Sequence, residues 1–477
     1  MTDSQYKHII VILADGARAD VMQEELAQGN LPNIYRYLMG PGASIPAVTS
    51  FPSTTGPAYL PFLTGCFPGT CNVPGIRWFD KSLYDTGWSF DRYRSYVGLE
   101  SFCMASDMWP HIRTMFEILP DSISIFNPIA RGASGMRNAT RISRIWYWYY
   151  AHLTDRWTFV DDAGLAKLRH KIKRLPSFVF CVFPGIDEYS HLTHPRHEKT
   201  IERYLWLDKA IGDVVHDLKT QGLWESTALF LVSDHGLSKT HTHFCVNTFL
   251  DQHKLPPFYY PLIFQKRGKL CANMVSGNGM THLYFKNRDG WTRHTVRDEL
   301  ERLAPGLISD LWEEEAVDII ACRNPDGGAD ILSRRGEAKI RLDGAQLHYE
   351  VKGSDPFGYP PLSSDLDPTQ SLERTLDTDY PDAPFQIAHL FTSPRAGDLI
   401  ISARPGFDLR LKYENPEHRG SHGSLHMSHM RVPLLTNVPL EMRPARTADV
   451  FPTILMLLGR KLPGHIDGVP IPMKKDA

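Results

Sequence analysis

The sequence lacks a long apolar run, which argues against a membrane-spanning helix. No stretch in its 477 residues approaches the roughly 20 consecutive apolar residues that such a helix requires. The first strand-like segment begins at Ile9. The residues before it lack the three parts of a secretion signal, which are a charged region, an apolar stretch and a cleavage site of small residues. We therefore expect a cytoplasmic protein.

The sequence is also poor in cysteine and in net charge. The seven cysteines are odd in number and form no C-x-x-C pair, so a disulfide framework is not expected. The formal net charge is -2, which argues against a dedicated surface for a nucleic-acid polymer. We expect a globular protein whose partner is a small molecule.

What the sequence does contain is a set of strands of the buried type. Continuous apolar runs cover residues 9–14, 177–183 and 227–233, a pattern typical of parallel strands that are covered on both faces. Apolar residues at helical spacing predict helices over residues 201–218 and 450–458. This alternation predicts an α/β fold with a mostly parallel central sheet flanked by helices.

The middle of the chain has a different composition. From about residue 271 it is rich in Gly, Pro and Asp, and residues 338–342 alternate before a hairpin-type turn at Asp343 and Gly344. We predict a core of residues 1–250 and 417–477, and an inserted, strand-rich cap of residues 251–416. We expect this insert and residues 85–175 to shape the pocket.

Polar residues follow each of the three predicted strands at its carboxyl end, where open α/β sheets bind ligands. Singly, an Asp-Gly is usually a turn and an Asp-His pair is usually exposed surface. As a set, three carboxylates and three imidazoles suit a pair of divalent ions, zinc being the expected metal. The six candidates are Asp15, Asp187, His191, Asp234, His235 and, late in the chain, His422.

A hydroxyl-rich segment, residues 49–57, supplies a candidate nucleophile. Two metals can hold the attacking and the leaving oxygen of an in-line displacement, and metal coordination activates a hydroxyl that is otherwise a weak nucleophile. The residues alone leave Ser53, Thr54 and Thr55 open.

These motifs, taken in order, resemble the alkaline phosphatase superfamily and, within it, the type I phosphodiesterase/nucleotide pyrophosphatase branch. The resembling segments are Leu13-Ala14-Asp15-Gly16, Phe51-Pro52-Ser53-Thr54-Thr55-Gly56-Pro57, Asp187-x-x-x-His191, Ser233-Asp234-His235-Gly236, Gly397-Asp398-Leu399 and His422-Gly423-Ser424. Any one of these motifs is weak evidence, whereas their common order is specific.

The resemblance implies a role for each residue. Thr55 would attack phosphorus and form a phosphothreonine. Asp15, Thr55, Asp234 and His235 would hold one metal ion, and Asp187, His191 and His422 would hold the other. His422 is preferred to His426 because His-Gly matches the family pattern. The implied activity is that of a phosphodiesterase or nucleotide pyrophosphatase, with a phosphomonoesterase (on a lipid or sugar phosphate), a phosphoryl transferase and a non-catalytic metal-binding protein as alternatives.

Two departures from the pattern concern the substrate. Gly56 stands where the branch often has a bulky aromatic residue, and Arg77 stands near the position of an Asn that helps hold the phosphoryl oxygens. Gly56 and Arg77 are therefore the expected substrate-binding residues, and Arg77 favours a monoester or terminal phosphate. The neighbouring Trp78 and Phe79 could stack on a base or simply pack.

One further segment, residues 141–157, combines arginines with a run of Trp and Tyr. It suits an amphipathic helix at a lipid interface, or an aromatic helix in the core or at an oligomer contact. The second interpretation is favoured, and peripheral membrane contact is kept as the alternative.

Overall fold

The computed structural model describes residues 5–83, 92–263, 268–410, 412 and 417–474. At its centre lies a six-stranded sheet. In spatial order its strands are Ala43–Ser44, Leu434–Thr436, Thr227–Val232, His8–Ala14, Phe178–Phe183 and Ser122–Ile125. The last four pair in parallel, while Leu434–Thr436 runs antiparallel to its neighbour. The prediction of a mostly parallel central sheet is therefore confirmed.

The three predicted strands lie side by side, and every residue of Phe178–Phe183 and Thr227–Val232 is buried. The strand His8–Ala14 lies between them, with Ala14 opposite Phe183 and Leu13 opposite Val232. Because the strands are parallel and in register, their carboxyl ends meet at one edge of the sheet. The residues that follow these ends are thereby brought together.

Helices cover the central sheet. The predicted helices are present as Glu198–Thr220 and Val450–Leu457. A short helix, Gly185–Leu192, directly follows the second strand and carries Asp187 and His191. Other helices of the core include Ala19–Ala27, Leu60–Thr64, Ser143–Thr154 and Trp157–Ile172. Among the described residues, no helix is both long and apolar enough to cross a membrane.

A second sheet of nine strands comes from residues 257–403. In spatial order its strands are Pro257–Tyr259, Cys271–Ser276, Met280–Phe285, Leu399–Ala403, Val317–Arg323, Ala329–Ser333, Gly336–Asp343, Gln346–Lys352 and Asp365–Leu366. The predicted hairpin is the pair Gly336–Asp343 and Gln346–Lys352. Helices of this region are Arg297–Leu303, Leu307–Glu313, Pro368–Thr375 and Ala383–Leu390. The division into core and cap at residues 251 and 416 stays a prediction.

The turn between the second and third strands of this sheet packs on the segment around His422. Asn278 forms a bridge with His422, and the Gly279 amide donates to the His422 carbonyl at 2.7 Å. Gly277 has φ +66°, and a Cβ on it would lie 2.7 Å from His422 Nδ1. Glycine is required there because a side chain would displace the imidazole.

Candidate active site

The six side chains predicted to bind metal gather at the carboxyl edge of the central sheet. Two groups of three could each hold an ion: Asp15, Asp234 and His235 form one group, and Asp187, His235 and His422 form the other. His191 lies beside the second group, with its Nε2 3.4 Å from Asp187 Oδ1. All six are buried, whereas the carboxylates and imidazoles of ordinary turns and surface segments are exposed to solvent.

The three histidines share one hydrogen-bonding arrangement. Their Nδ1 atoms lie near backbone carbonyls, at 2.7 Å for His191 and Gly420, 3.2 Å for His235 and Gly236, and 3.0 Å for His422 and Ser53. A carbonyl can only accept, so each Nδ1 carries the proton. In the neutral form of each ring, Nε2 is then left with a lone pair, which is how a protein prepares a histidine to bind a metal.

The carboxylates also fit a cation. Asp187 Oδ1 and Asp234 Oδ2 are buried and have no hydrogen-bond partner among the described residues. Burial, together with the charge of Asp187, raises the pKa of Asp15 to about 8. Burial and the neighbouring carboxylates raise the pKa of Asp234 well above its usual range. Acidic groups that repel each other in the protein alone are stabilised by divalent cations.

The pKa values of the three imidazoles shift in opposite directions. Burial lowers the pKa of His235 to about 4, and burial beside His235 lowers that of His422 well below its usual range. Burial acts the same way on His191, but Asp187 outweighs it and raises the pKa of His191 to about 9. Two of the three rings are therefore neutral near pH 7, which is the state that binds a metal.

Of the three candidate hydroxyls, that of Thr55 reaches this cluster. Its Oγ1 lies 3.0 Å from His235 Nε2 and 3.3 Å from Asp15 Oδ1. Ser53 instead donates to the Ser424 carbonyl at 2.9 Å, and the buried Thr54 hydroxyl has no hydrogen-bond partner within the described part of the chain. Thr55 is half-buried and lines a cavity of about 350 Å³. The geometry therefore favours Thr55 as the nucleophile.

Gly56 turns the chain directly after Thr55. Its φ is +90°, and a Cβ would come within 2.6 Å of Met104 Cε. Gly56 lines the cavity, and its role in substrate binding stays a prediction. A bulky aromatic residue does not fit this backbone, so the departure from the family pattern reflects the local conformation.

Tyr59 is a site residue that sequence reasoning missed. It is buried, and its hydroxyl donates a short hydrogen bond to Asp15 Oδ2. It lies four residues after Thr55, in the short helical turn Pro57–Tyr59 that leads into Leu60–Thr64. The sequence signal that could have identified Tyr59 is its position one helical turn after the proposed nucleophile. Its hydroxyl fixes one oxygen of Asp15 and leaves the other facing Thr55.

Arg77 lies on the wall of the same cavity. Its Nη1 donates to the Val275 carbonyl at 2.9 Å and its Nε to Ser95 Oγ at 3.1 Å. The next residue, Trp78, is fully buried and donates to the Tyr96 hydroxyl at 2.9 Å. Phe79 is also fully buried. These two aromatic residues pack in the interior, and the interpretation that they stack on a base is wrong.

The aromatic segment forms the helix Ser143–Thr154, and one side of it lines the cavity. The cavity is walled there by Arg144, Ile145, Trp148, Tyr149 and His152. Arg144 donates to Ser101 Oγ at 2.8 Å and pairs with no carboxylate in the part of the chain that the structure describes. The predicted insert, residues 251–416, contributes Gly277, Asn278 and Arg410. The core segment 96–152 thus supplies more of the described wall than the insert does.

Three other histidines lie close to His422 in the sequence, and none of them belongs to a ligand group. They are His418, His426 and His429. His418 lies over His191, with ring centroids 4.2 Å apart, and lines the cavity. His429 is buried between Ser424 and Ser238. His426 caps the short helix Met427–Met430 and belongs to neither ligand group. His422 is therefore the histidine of this run that the geometry supports as a ligand.

Fold and site together fit the expected metal-dependent phosphoric-ester hydrolase, and comparison with known proteins gives the family. The family model of type I phosphodiesterase / nucleotide pyrophosphatase matches residues 9–425. The chain belongs to this family, a branch of the alkaline phosphatase superfamily. The resemblance found in the motifs is thereby confirmed.

Individual relatives are more distant. Bis(5'-adenosyl)-triphosphatase ENPP4 of Bos taurus is 38% identical over 78 residues, which are 16% of this chain and 17% of that protein. The aligned stretch thus spans about a sixth of this curated relative. Among solved structures, murine and human ectonucleotide pyrophosphatase / phosphodiesterase 5 (ENPP5) each give a TM-score of 0.58 at 13% identity, with 96% of both chains covered. One murine structure is an inactive threonine-to-alanine variant in complex with AMP.

Proposed function

We propose that this chain is a phosphodiesterase of the nucleotide pyrophosphatase type that acts through a phosphothreonine on Thr55. The observation that carries the proposal is the position of Thr55 Oγ1, 3.0 Å from His235 Nε2 and 3.3 Å from Asp15 Oδ1. The inactive threonine-to-alanine variant of the distantly similar ENPP5 supports the same role for a threonine.

The proposed metal site holds two divalent cations, for which the mixed nitrogen and oxygen ligands suit zinc. One would be bound by Asp15, Thr55, Asp234 and His235, and the other by Asp187, His191 and His422. When bound, such cations neutralise the phosphoryl charge and lower the pKa of a coordinated hydroxyl.

In the first chemical step, Thr55 Oγ1 loses its proton to solvent and forms a bond to phosphorus while the bond from phosphorus to the leaving oxygen breaks, and the leaving oxygen takes up a proton from solvent. Water then attacks phosphorus from the side that the leaving group vacated, the bond from phosphorus to Thr55 Oγ1 breaks, and a proton from that water restores the Thr55 hydroxyl. Tyr59 keeps Asp15 oriented in both steps through its hydrogen bond. Two inversions at phosphorus give net retention.

The cavity wall supports a substrate with more than one negative charge. Arg77 and Arg144 both line the cavity that contains Thr55, and a guanidinium binds phosphate oxygens through paired donors. Trp148 and Tyr149 offer aromatic surface in the same cavity. The guanidinium groups of Arg77 and Arg144, together with an aromatic wall, suit a nucleotide linked through a pyrophosphate. This is in keeping with the triphosphatase name of the ENPP4 relative.

A phosphomonoesterase is the second candidate, and Arg77 is the observation that favours it. A dianionic monoester gains more from a nearby guanidinium than a monoanionic diester does. Parallel assays on bis-p-nitrophenyl phosphate and p-nitrophenyl phosphate separate the two. A catalytic efficiency that is higher for the monoester would overturn the diesterase proposal.

The nucleophile is tested with Thr55→Ala and the matched control Thr54→Ala. We expect the first change to remove turnover and covalent labelling of the protein by substrate, and the second to spare both. Loss of labelling in Thr54→Ala with retention in Thr55→Ala would contradict the assignment. Turnover that persists in protein shown by elemental analysis to be metal-free would contradict the metal site.

A further inference from the structure

The helix Ser143–Thr154 carries apolar residues on its outer face as well as on the face toward the cavity. Ile142, Trp146, Tyr149 and Leu153 recur at intervals of four, three and four residues, which places them on one side of a helix. All four are exposed, with Ile142 at 80% and Leu153 at 83%. Ala151, on the opposite side, is fully buried. We call these four residues the apolar stripe.

The apolar stripe borders the mouth of the catalytic cavity. Tyr149 belongs to the stripe and also lines the cavity. Across the mouth, Val97 lines the cavity and is exposed, and it is followed by exposed Leu99 and Phe102. Scattered apolar residues on a surface need no explanation, but a contiguous exposed group marks a site of interaction.

The charged residues around the helix that carries the stripe indicate which kind of partner binds there. Residues 137–174 contain nine Lys and Arg and three Asp, although the whole chain has a net charge of -2. Exposed Arg141 and Arg156 flank the stripe. Lys167 and Lys171 line a surface groove beside the same helix, together with its Tyr147 and with Met136, which is 89% exposed. Arg141, Lys167 and Lys171 pair with no carboxylate among the residues that the structure describes.

This combination distinguishes a lipid surface from a second copy of the chain. A symmetric dimer places the same surface on both subunits, so it would bring the unpaired basic residues of each copy together. An anionic bilayer instead accepts the apolar side chains between its headgroups and attracts the cations around them. The interpretation as an oligomer helix is therefore disfavoured by charge.

We propose that the apolar stripe and its basic surroundings dock on the surface of an anionic lipid bilayer. The mouth of the cavity then faces the lipid headgroups, and an ester held at the membrane can reach Thr55 without crossing bulk water. The docking does not depend on which phosphate ester is hydrolysed. It uses residues outside the proposed catalytic machinery, with the exception of Tyr149.

The experiment is co-sedimentation of the full chain with vesicles of phosphatidylcholine alone and of phosphatidylcholine with 30% phosphatidylglycerol, a proportion chosen as roughly that of an anionic membrane surface. We expect binding to the anionic vesicles that weakens as salt is raised. The stripe variant, which combines Ile142→Ser, Trp146→Ser and Leu153→Ser, should lower the partition coefficient by roughly a hundredfold, because three exposed apolar side chains are lost.

The charge is tested separately. Lys167→Gln with Lys171→Gln should weaken binding by about 30-fold, whereas Lys461→Gln with Lys474→Gln, which removes two exposed lysines elsewhere, should not. Met442→Ser, Leu462→Ser and Val469→Ser form the matched apolar control, since these residues are also exposed. Hydrolysis of soluble bis-p-nitrophenyl phosphate should be unchanged in every one of these variants.

The proposal is overturned if the wild-type chain stays in the supernatant with anionic vesicles, or if the control variants lose as much binding as the stripe variant. It is also overturned if the lipid-free protein is a dimer by sedimentation velocity and the stripe variant is a monomer, since the surface is then a self-interface. Absence of hydrolysis in the wild-type chain would count against the proposed function and leave the docking result standing.

Discussion

His422 Nδ1 lies 3.0 Å from the Ser53 carbonyl oxygen, which joins the last candidate ligand to the segment that carries the nucleophile. The two residues are far apart in the chain, and the contact sets the tautomer of His422. Its Nε2 is thereby left for a metal, and Ser53 lies only two residues in sequence before Thr55. The C-terminal segment thus adds the sixth candidate ligand to the five that follow strands of the central sheet.

The first prediction concerns this histidine. His422→Ala removes a proposed ligand, so we expect metal content to fall from two ions toward one per chain. We also expect turnover to fall by roughly a hundredfold or more, since the loss of a residue that only hydrogen-bonds to a metal ligand already costs about 10- to 100-fold. His426→Ala is the control, because His426 caps a short helix outside the ligand groups. Elemental analysis and steady-state kinetics provide the measurements. Equal losses in both variants would contradict the assignment of His422.

Tyr59→Phe removes the hydrogen bond to Asp15 and keeps the packing of the ring. Because Tyr59 orients a proposed ligand, we expect metal affinity or turnover to fall by about 10- to 100-fold. Titration of metal into chelator-treated protein measures the first effect. Addition of excess metal should restore part of the lost activity. A variant with unchanged affinity and turnover would show that the Asp15 orientation does not require this hydroxyl.

The extent to which the sequence predicts this site differs from residue to residue. The strands His8–Ala14, Phe178–Phe183 and Thr227–Val232 follow from their apolar runs because both faces of each are buried. Their register then places Asp15 and Asp234 at the same edge of the sheet. These features depend on hydrophobicity along a segment, which a single sequence reports directly.

Other features depend on the direction of single side chains. Ser53, Thr54 and Thr55 are adjacent, but their hydroxyls point to three different surroundings. Residue composition carries no information on that direction, so the family pattern was needed to choose Thr55. The role of Tyr59 and the cavity position of Arg144 were missed for the same reason.

Asp161 gives a prediction about pH. It is buried, and its Oδ1 accepts from the Gly185 amide at 3.1 Å, at the start of the helix that carries Asp187 and His191. Burial raises the pKa of Asp161 to about 7 against the opposing charge of Arg203. The folded protein therefore binds more protons than the unfolded chain between roughly pH 4 and 7, so this contribution to stability is lost as pH rises through that window.

Asp161→Asn should remove this dependence while the amide oxygen keeps the hydrogen bond to Gly185. We expect the free energy of unfolding of the wild type, relative to the variant, to fall by about 3 kcal/mol between pH 5 and 7.5. Urea unfolding of both proteins at the two pH values measures the difference. Parallel pH profiles for the two proteins would count against the raised pKa.

The last prediction concerns Asp398, which lies in one of the segments that resemble the family pattern. It is fully buried, and its Oδ2 lies 2.8 Å from Lys81 Nζ. Its carboxylate also accepts from the amides of Phe285 and Thr295. It thereby ties the core segment at Lys81 to the nine-stranded sheet.

Asp398→Ala leaves the Lys81 ammonium buried without its partner, for which the expected cost is about 3–5 kcal/mol of unfolding free energy. The matched control is Asp289→Ala, which breaks the exposed pair with Arg293 and should cost less than about 1 kcal/mol. Denaturant unfolding measures both. Lys81→Met together with Asp398→Leu should recover much of the loss, because the cost arises from the unpaired charge rather than from the missing ion pair. If the double variant is as unstable as Asp398→Ala, the backbone amides that Asp398 accepts from, and not the lysine, account for its contribution.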